Sequence, residues 1–531
     1  MEQSPVPSGY RAILAAREQE FNARLQDGQI SPLIFPHDFV SLFVTVGVLL
    51  VPWPRQGAFK YARQLSFCLV LYLNILTIRK CRSRAMANGY GVGLAFIWHT
   101  IWSATLLVFN DVQGKFKRIE KDTTICETKL NGVDSVVNRD GPEERTGLGH
   151  LHGQLNGTPA RRRSSDRDMN NSGTSPVKEP GRTHYTTYYR WQPFPKTFSH
   201  RLAWVLDIST FSFRGPGWNW SNPNVAPAPD KSATKSALKA MLTTTAIHYL
   251  RLDLIKVLVM QDPYFWGVLD SPPPAFFAPL GQYAGIPALA YHYLLICLGI
   301  VSALMVYYGC LCIIYLLISL SCGPRSCVRV PIDAPWLYPN LFGPFLSSVL
   351  DKGLAGAWSK WWHQVFRFAF VSPTAWVFPY LPHFLRKKPY FPLLRAIVAF
   401  ALSGLIHACG SYTQLGTTRP WGPFSFFVVQ VPGILIQQLA GEICAHLPFA
   451  LPRWLRRWSN LAFFIFWILL TGHLVADDFA KGGVWLFEPV PVSPIRGLGF
   501  GAVGEGWWCW HGKWFGLWKG EKWWQRGVEI F

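Results

Sequence analysis

The chain has 531 residues, 50% of them hydrophobic, 15% aromatic and only 15% charged, with a formal net charge of +21. Soluble domains carry about a quarter charged residues, so a string of soluble domains is excluded, as are a disordered chain, a collagen and a coiled coil. The positive balance argues against nucleic-acid binding because of where it sits: residues 111–190 hold 14 basic and 11 acidic side chains, and most of the excess lies in short loops beside apolar blocks, where span orientation and anionic headgroups favour it.

The first 30 residues carry charges of both signs and no apolar core, so no cleavable signal peptide is expected and insertion falls to the first internal span. Apolar stretches of about 20 residues cross a bilayer as helices, because the backbone must satisfy its own hydrogen bonds there. On that basis residues 34–53, 65–78 and 89–109 form an N-terminal membrane section within residues 1–110. Residues 111–190 are rich in Gly, Ser, Thr, Asn and charge and are expected to be a disordered polar loop. Its Asn156-Gly-Thr and Asn170-Asn-Ser triplets fit a glycosylation pattern that is common by chance.

Residues 191–480 are expected to form the core. Residues 238–260 place Arg251, Asp253 and Lys256 among Leu, Ile and Val, which predicts an amphipathic helix at the interface or packed on the bundle. Further spans are expected at 286–320, 364–380, 391–409, 424–447 and 461–475, for seven to nine in all. In the tail, residues 481–531, Trp507, Trp510, Trp514 and Trp518 recur at spacings of three and four, which predicts one helical face lying along the membrane surface. The 11 cysteines show no paired framework. Cys68, Cys297, Cys310, Cys312 and Cys409 sit inside apolar runs as small core residues, with no metal site.

Three segments carry candidate chemistry. His407 lies deep in the span 391–409, where an ionisable group is costly and faces a cavity or a partner; it is either a proton acceptor or a histidine satisfied by a backbone carbonyl. His99, His248, His292 and His473 compete on the same criterion. Upstream, Gly356-Ala-Trp358-Ser-Lys-Trp361-Trp362-His363-Gln-Val-Phe-Arg367 combines three tryptophans, a second imidazole and a cation, which fits an aromatic belt with an anchor as well as a site. The third is Phe213-Arg214-Gly-Pro-Gly217-Trp218-Asn219-Trp220.

In this order the segments resemble the membrane-bound O-acyltransferases, within them the wax synthase-like branch of fungal natural-product pathways, whose members include terpenoid O-acetyltransferases. Ser403-Gly-Leu-Ile-His407 follows His363 by 44 positions, similar to that family's spacing, and residues 213–220 look like its Arg-Gly-x-Gly-Trp element. The resemblance covers roughly residues 204–475. One departure is His363, where sterol and diacylglycerol acyltransferases of the wider family carry Asn.

The resemblance implies an all-α polytopic transmembrane bundle in the endoplasmic reticulum that binds no permanent cofactor and no metal. It implies acetyl-CoA as co-substrate, an apolar terpenoid or polyketide-type alcohol as acceptor, and the lipid bilayer as the remaining partner. His407 would be the general base and His363 a donor to the acyl group or its oxyanion. Trp358, Trp362, Arg367, Arg214, Trp218 and Asn219 would line the substrate and CoA site, with Arg367 and Arg214 either pairing donor phosphates or anchoring at the interface.

Alternatives are a long-chain wax ester synthase and, in another class, a proton-coupled transporter. The transporter reading lacks a visible internal repeat and acidic groups within the spans. A prenyltransferase would need Asp-rich magnesium sites, and Asp477-Asp478 is the one adjacent Asp pair.

Overall fold

A computed structural model describes residues 9–54, 58–126, 184–221, 234–322, 330–446, 448, 450–502, 504–510, 512–520, 522 and 525–531. The chain divides into two units: Met1–Arg118, Gln192–Ser321 and Ile332–Phe531 in the first, Ile119–Trp191 and Cys322–Pro331 in the second.

The first unit begins with α1 (Tyr10–Gln26), β1 (Ser31–Phe35), α2 (Val40–Leu50), α3 (Ala62–Lys80), β2 (Cys81–Arg82) and α4 (Met86–Ala104). The helix α3 ends on Arg79 and Lys80, cations that suit the negative end of the helix dipole. At residues 34–53 the expected first span is not one helix. Leu33, Ile34 and Phe35 pair as a strand, Pro36 follows, and the 11 helical residues of α2 rise only about 16 Å at 1.5 Å each, against a hydrocarbon core of about 30 Å.

The remaining described α-helices of eight or more residues are α5 (Phe198–Leu206), α6 (Thr234–Met260), α7 (Gly285–Cys322), α8 (Phe345–Gly356), α9 (Arg367–Val377), α10 (Tyr390–Thr413), α11 (Trp421–Val428), α12 (Gln430–Ala445), α13 (Arg453–Thr471) and α14 (His473–Lys481). Residues 364–380 also fall short of a full span, since α9 covers 11 residues with Pro373 inside it. Among the described residues five helical stretches are long and apolar enough to cross a membrane, Phe59–Lys80, Asn88–Phe109, Ala275–Ser321, Tyr390–Thr413 and Trp421–Ala445. The pair α13 and α14, bent by 45°, makes a sixth if it is one span. The described residues thus supply five or six candidates toward the expected seven to nine.

The closest helix pairing is that of α4 with α10, and its cause is legible in small residues. A Cβ on Gly93 would stand 1.9 Å from the Cys409 carbonyl oxygen. The Thr413 hydroxyl fills the seam, 2.7 Å from the Gly89 carbonyl and 2.9 Å from the Gly93 amide. Small residues at such crossings let membrane helices approach where no hydrophobic drive separates protein from lipid.

An aromatic core of Trp98, Trp102, Trp204, Trp218 and Phe370 packs beside this seam and includes Ile406 of α10. A second core joins α6, α7 and α14 through Ile255, Val259, Tyr264, Phe265, Tyr293 and Ala480. Of the two settings expected for 238–260 the structure takes the packed one. Asp253 is fully buried and accepts from Ser493 and from the Ile495 amide at 3.0 Å, and Lys256 donates to the Trp485 carbonyl at 2.8 Å.

The tail differs from expectation. Instead of a surface helix, β5 (Phe515–Trp518) and β6 (Gly527–Ile530) form an antiparallel pair. Leu33, Ile34 and Phe35 pair with Ile530, Glu529 and Val528, which completes a sheet of order β2-β1-β6-β5, with β1 and β2 parallel. Spacings of three and four persisted without a helix because Gly512, Gly516 and Gly520 interrupt the tryptophans, and glycine disfavours helix by about 1 kcal/mol per residue.

In the second unit, β3 (Arg118–Cys126) and β4 (His184–Gln192) form a two-stranded ladder. The ends of the segment expected to be disordered are thus strands. Residues 127–183, with both glycosylation triplets, lie outside the described residues.

Candidate active site

Three elements of the first unit build the site: α10, the start of the α11–α12 stretch, and the turn that links α8 to α9. This turn is a widened π-helical turn at Ala357–Trp361, ended by the extended backbone of Trp362. Gly343 holds it from outside: its amide donates to the Trp361 carbonyl at 2.9 Å, and a Cβ there would meet the Lys360 carbonyl at 2.1 Å. Gln364 holds it from inside. Buried, it donates to the carbonyls of Trp358 and Trp362 at 3.0 and 2.6 Å and accepts from Arg367 at 2.9 Å. Rare π-turns recur at functional sites because the wider turn re-aims side chains.

The turn delivers two tryptophans and His363. Trp362 lies 5.2 Å from the His363 ring and 5.9 Å from Trp358. Trp358 donates to Gln430 at 3.3 Å and presents its edge to Phe400 of α10 and Phe427 of α11. Phe427 in turn stacks on His407, with ring centroids 4.5 Å apart and planes within 14°. The two motifs that stand 44 positions apart in sequence are therefore joined through a single chain of rings, Trp362, Trp358, Phe427 and His407.

His407 bonds through Nδ1 to the Tyr90 hydroxyl of α4, and no hydrogen bond reaches Nε2 from the described residues. The Nδ1 of His363 is buried and, like several other buried side-chain atoms, has no hydrogen-bond partner among the described residues. Buried polar atoms are usually paired, so this nitrogen is a candidate to meet a ligand. Burial first, then the nearby His407 and Arg214, push the His363 imidazole down to about 3, which keeps it neutral at physiological pH.

Other expected residues are used differently. Arg214 is buried, with its terminal nitrogens on the carbonyls of Pro339 and Asn340 at 3.2 and 2.6 Å and its guanidinium over the Tyr308 ring. Positive-φ glycines at 215 and 217 make the turn that lets it do so. Both its terminal nitrogens thus donate to backbone, and its Nε is buried with no hydrogen-bond partner among the described residues. Arg367 is likewise engaged by Gln364. Trp218 packs edge-on against Trp204 at 4.8 Å. Asn219 stitches its loop to the segment after α4, donating to the Lys115 carbonyl at 2.9 Å and accepting from the Lys117 amide at 3.0 Å. These two hold the fold around the site, and none of their contacts is with either histidine.

Three participants escaped the sequence reading: Tyr90, Phe427 and Gln364. Only Tyr90 left a signal, since it stands inside Gly89-x-x-x-Gly93, a spacing that marks close helix approach in an apolar stretch.

Residues 338–429 match the Membrane bound O-acyl transferase family, a segment that contains His363, Arg367, His407 and Phe427. Among characterised proteins the chain is 28% identical over 254 residues to the O-Mevalon transferase yanI of Aspergillus niger, covering 45% of this chain and 53% of that protein. It is 26% identical over 285 residues to the O-Mevalon transferase macI of Penicillium terrestre, covering 51% and 60%. It is 31% identical over 148 residues to the Acetyltransferase eriL of Hericium erinaceus, covering 27% and 37%. The chain thus spans about half the length of the first two relatives. No solved structure matches. The resemblance drawn from the three motifs is to a family of membrane-bound acyltransferases with fungal members, and the matched segment is the one that carries the two histidines.

Proposed function

We propose that this protein is a membrane O-acyltransferase of the endoplasmic reticulum that moves acetyl from acetyl-CoA to a hydroxyl of an apolar terpenoid or polyketide-type product, with His407 as general base. The observation that carries the reading is the convergence of His407 and the Trp358–His363 turn on Phe427, within the stretch that matches the acyltransferase family.

The chemistry follows from the two imidazoles. His407 Nε2 takes the proton of the acceptor hydroxyl as its oxygen attacks the thioester carbonyl. The tetrahedral intermediate collapses, the carbon–sulfur bond breaks, and the CoA sulfur recovers that proton from the imidazolium, so the overall reaction neither gains nor loses one. His363, neutral and with a buried unpaired nitrogen, hydrogen-bonds the developing oxyanion when that nitrogen carries its proton. A fixed donor of this kind is commonly worth about two to three orders of magnitude in rate. The surrounding rings exclude water, which would otherwise compete for the thioester.

The names of the first two relatives favour a second donor for the same site, a mevalon group. Microsomes containing the protein, supplied with radiolabelled acetyl-CoA, mevalonyl-CoA or palmitoyl-CoA and candidate alcohols, separate the donors. Ester formation from one of the short donors is expected, with loss of it in His407→Ala. Full activity of that variant would sink the proposal.

A further inference from the structure

The α4–α10 seam brings a side chain of α4 onto the working face of α10. Gly410 makes the space: a Cβ there would stand 2.7 Å from the Tyr90 ring. The ring is also held edge-on to Phe479 of α14 at 5.1 Å. So held, the Tyr90 hydroxyl meets His407 Nδ1 and leaves Nε2 to the site.

A neutral imidazole that is to accept a proton at Nε2 must carry its own on Nδ1. In apolar surroundings that Nδ1–H needs an acceptor, and Tyr90 Oη is the atom present. The Tyr90 hydroxyl hydrogen then needs somewhere else to point. Asp478 of α14 immediately precedes the Phe479 that packs on the Tyr90 ring, which sets a carboxylate near it. Its Oδ1 accepts from the Arg419 amide at 2.6 Å, and no hydrogen bond from the described residues reaches Oδ2. The opposite orientation, Tyr90 donating to Nδ1, would put the neutral proton on Nε2 and leave His407 a donor with no base.

We propose that Tyr90 is a positioning residue of the site: its oxygen accepts the Nδ1–H of His407, selects the tautomer with Nε2 free, and steadies the imidazolium, with the Asp478 carboxylate adding negative charge nearby. This rests on the reading of His407 as general base. Tyr90 exchanges no proton, since the acceptor's proton travels to Nε2 and from there to the CoA sulfur. Among the described residues Tyr90 of α4 bonds His407 and His363 before α9 interacts with it electrostatically, while Asp478 of α14 acts on Tyr90 and Arg214 on His363. The neighbouring side of α11 presents the Phe427 ring.

Tyr90→Phe keeps the ring and removes the oxygen. In microsomes, kcat for ester formation is expected to fall about a hundredfold, with little change in KM for either substrate. The acid limb of the kcat/KM profile should move to lower pH because the imidazolium loses its partner. Asp478→Asn should move the limb in the same direction by less. A purely structural tyrosine would lower the thermal midpoint of the purified protein without moving the profile. Wild-type kcat and an unmoved profile in Tyr90→Phe overturn the assignment, and if that variant does not fold, an unmoved profile in Asp478→Asn does so. His407→Ala separates the two levels: full activity there defeats the general-base reading itself, whereas its inactivity beside a fully active Tyr90→Phe defeats only the role of Tyr90.

Discussion

His99 and His407 are both imidazoles midway along apolar helices, and their surroundings are opposite. His99 of α4 has partners on both nitrogens: Asn74 and Ser41 at 3.1 and 3.4 Å from Nδ1, Thr45 and Ser103 each at 3.2 Å from Nε2. Asn74 also bonds Thr100, and Thr45 bonds Ser103, so the cluster locks α2, α3 and α4 together. His407 has one nitrogen on Tyr90, and its ring lies against Phe427 with no hydrogen bond to the other nitrogen from the described residues. Burial of a histidine in a membrane helix therefore says little about its role. On the proposed reading, what separates His99 from His407 is whether the described residues occupy both nitrogens.

The strongest test of that contrast is the pair His407→Ala and His99→Ala assayed side by side in microsomes. The first is expected to lose ester formation by at least about a thousandfold. The second should keep turnover per folded molecule while losing stability by roughly 1–3 kcal/mol, because Asn74, Thr45 and Ser103 are left with unpaired buried groups. Equal loss of turnover in both would break the comparison. Next in size, His363→Ala should lower kcat by about two orders of magnitude with little change in the amount of folded protein, and single-turnover kinetics locate that loss in the chemical step.

A smaller effect concerns pH. The His363 imidazole titrates near 6.5 when unfolded and is pushed down to about 3 when folded. The unfolded chain therefore binds the proton first, so the stability tied to neutral His363 is complete above about pH 6.5 and is lost as pH falls toward 3. Melting midpoints of the detergent-solubilised protein at pH 7 and pH 5 should differ less for His363→Asn, which does not titrate. Smallest is Arg214→Ala. Its carbonyl partners at Pro339 and Asn340 lose their donors, so the melting point drops while KM for acetyl-CoA stays unchanged. A raised KM would return Arg214 to the phosphate-binding role that its sequence context suggests.

Much of the helical organisation was legible because it follows from composition over a window. Long apolar runs at 65–78, 89–109, 286–320 and 391–409 each became a helix long enough to span, since lipid leaves the backbone no other way to satisfy itself. The expectation failed where a local competitor was present: the strand pairing of Leu33, Ile34 and Phe35, the prolines in and after α9, the glycines between the tail tryptophans. Among the candidate site residues, His363, Trp358 and Trp362 were legible because unusual residues stand close together in sequence, and His407 because it is an ionisable group inside an apolar span. Phe427 and Gln364 were missed because nothing in a lone Phe or Gln distinguishes a stacking ring or a loop fastener from its neighbours.

By itself the sequence determined that the protein is built of apolar helices with basic edges and that two histidine motifs recur at family-like spacing. Those are properties of neighbours along the chain. Only tertiary structure decided which nitrogens of His99, His363 and His407 are bonded, because that depends on side chains far away in sequence, as with Tyr90 and His407 across the α4–α10 seam. It also decided that the Arg214 guanidinium reaches the carbonyls of Pro339 and Asn340, since a guanidinium goes to whichever acceptors folding brings within reach.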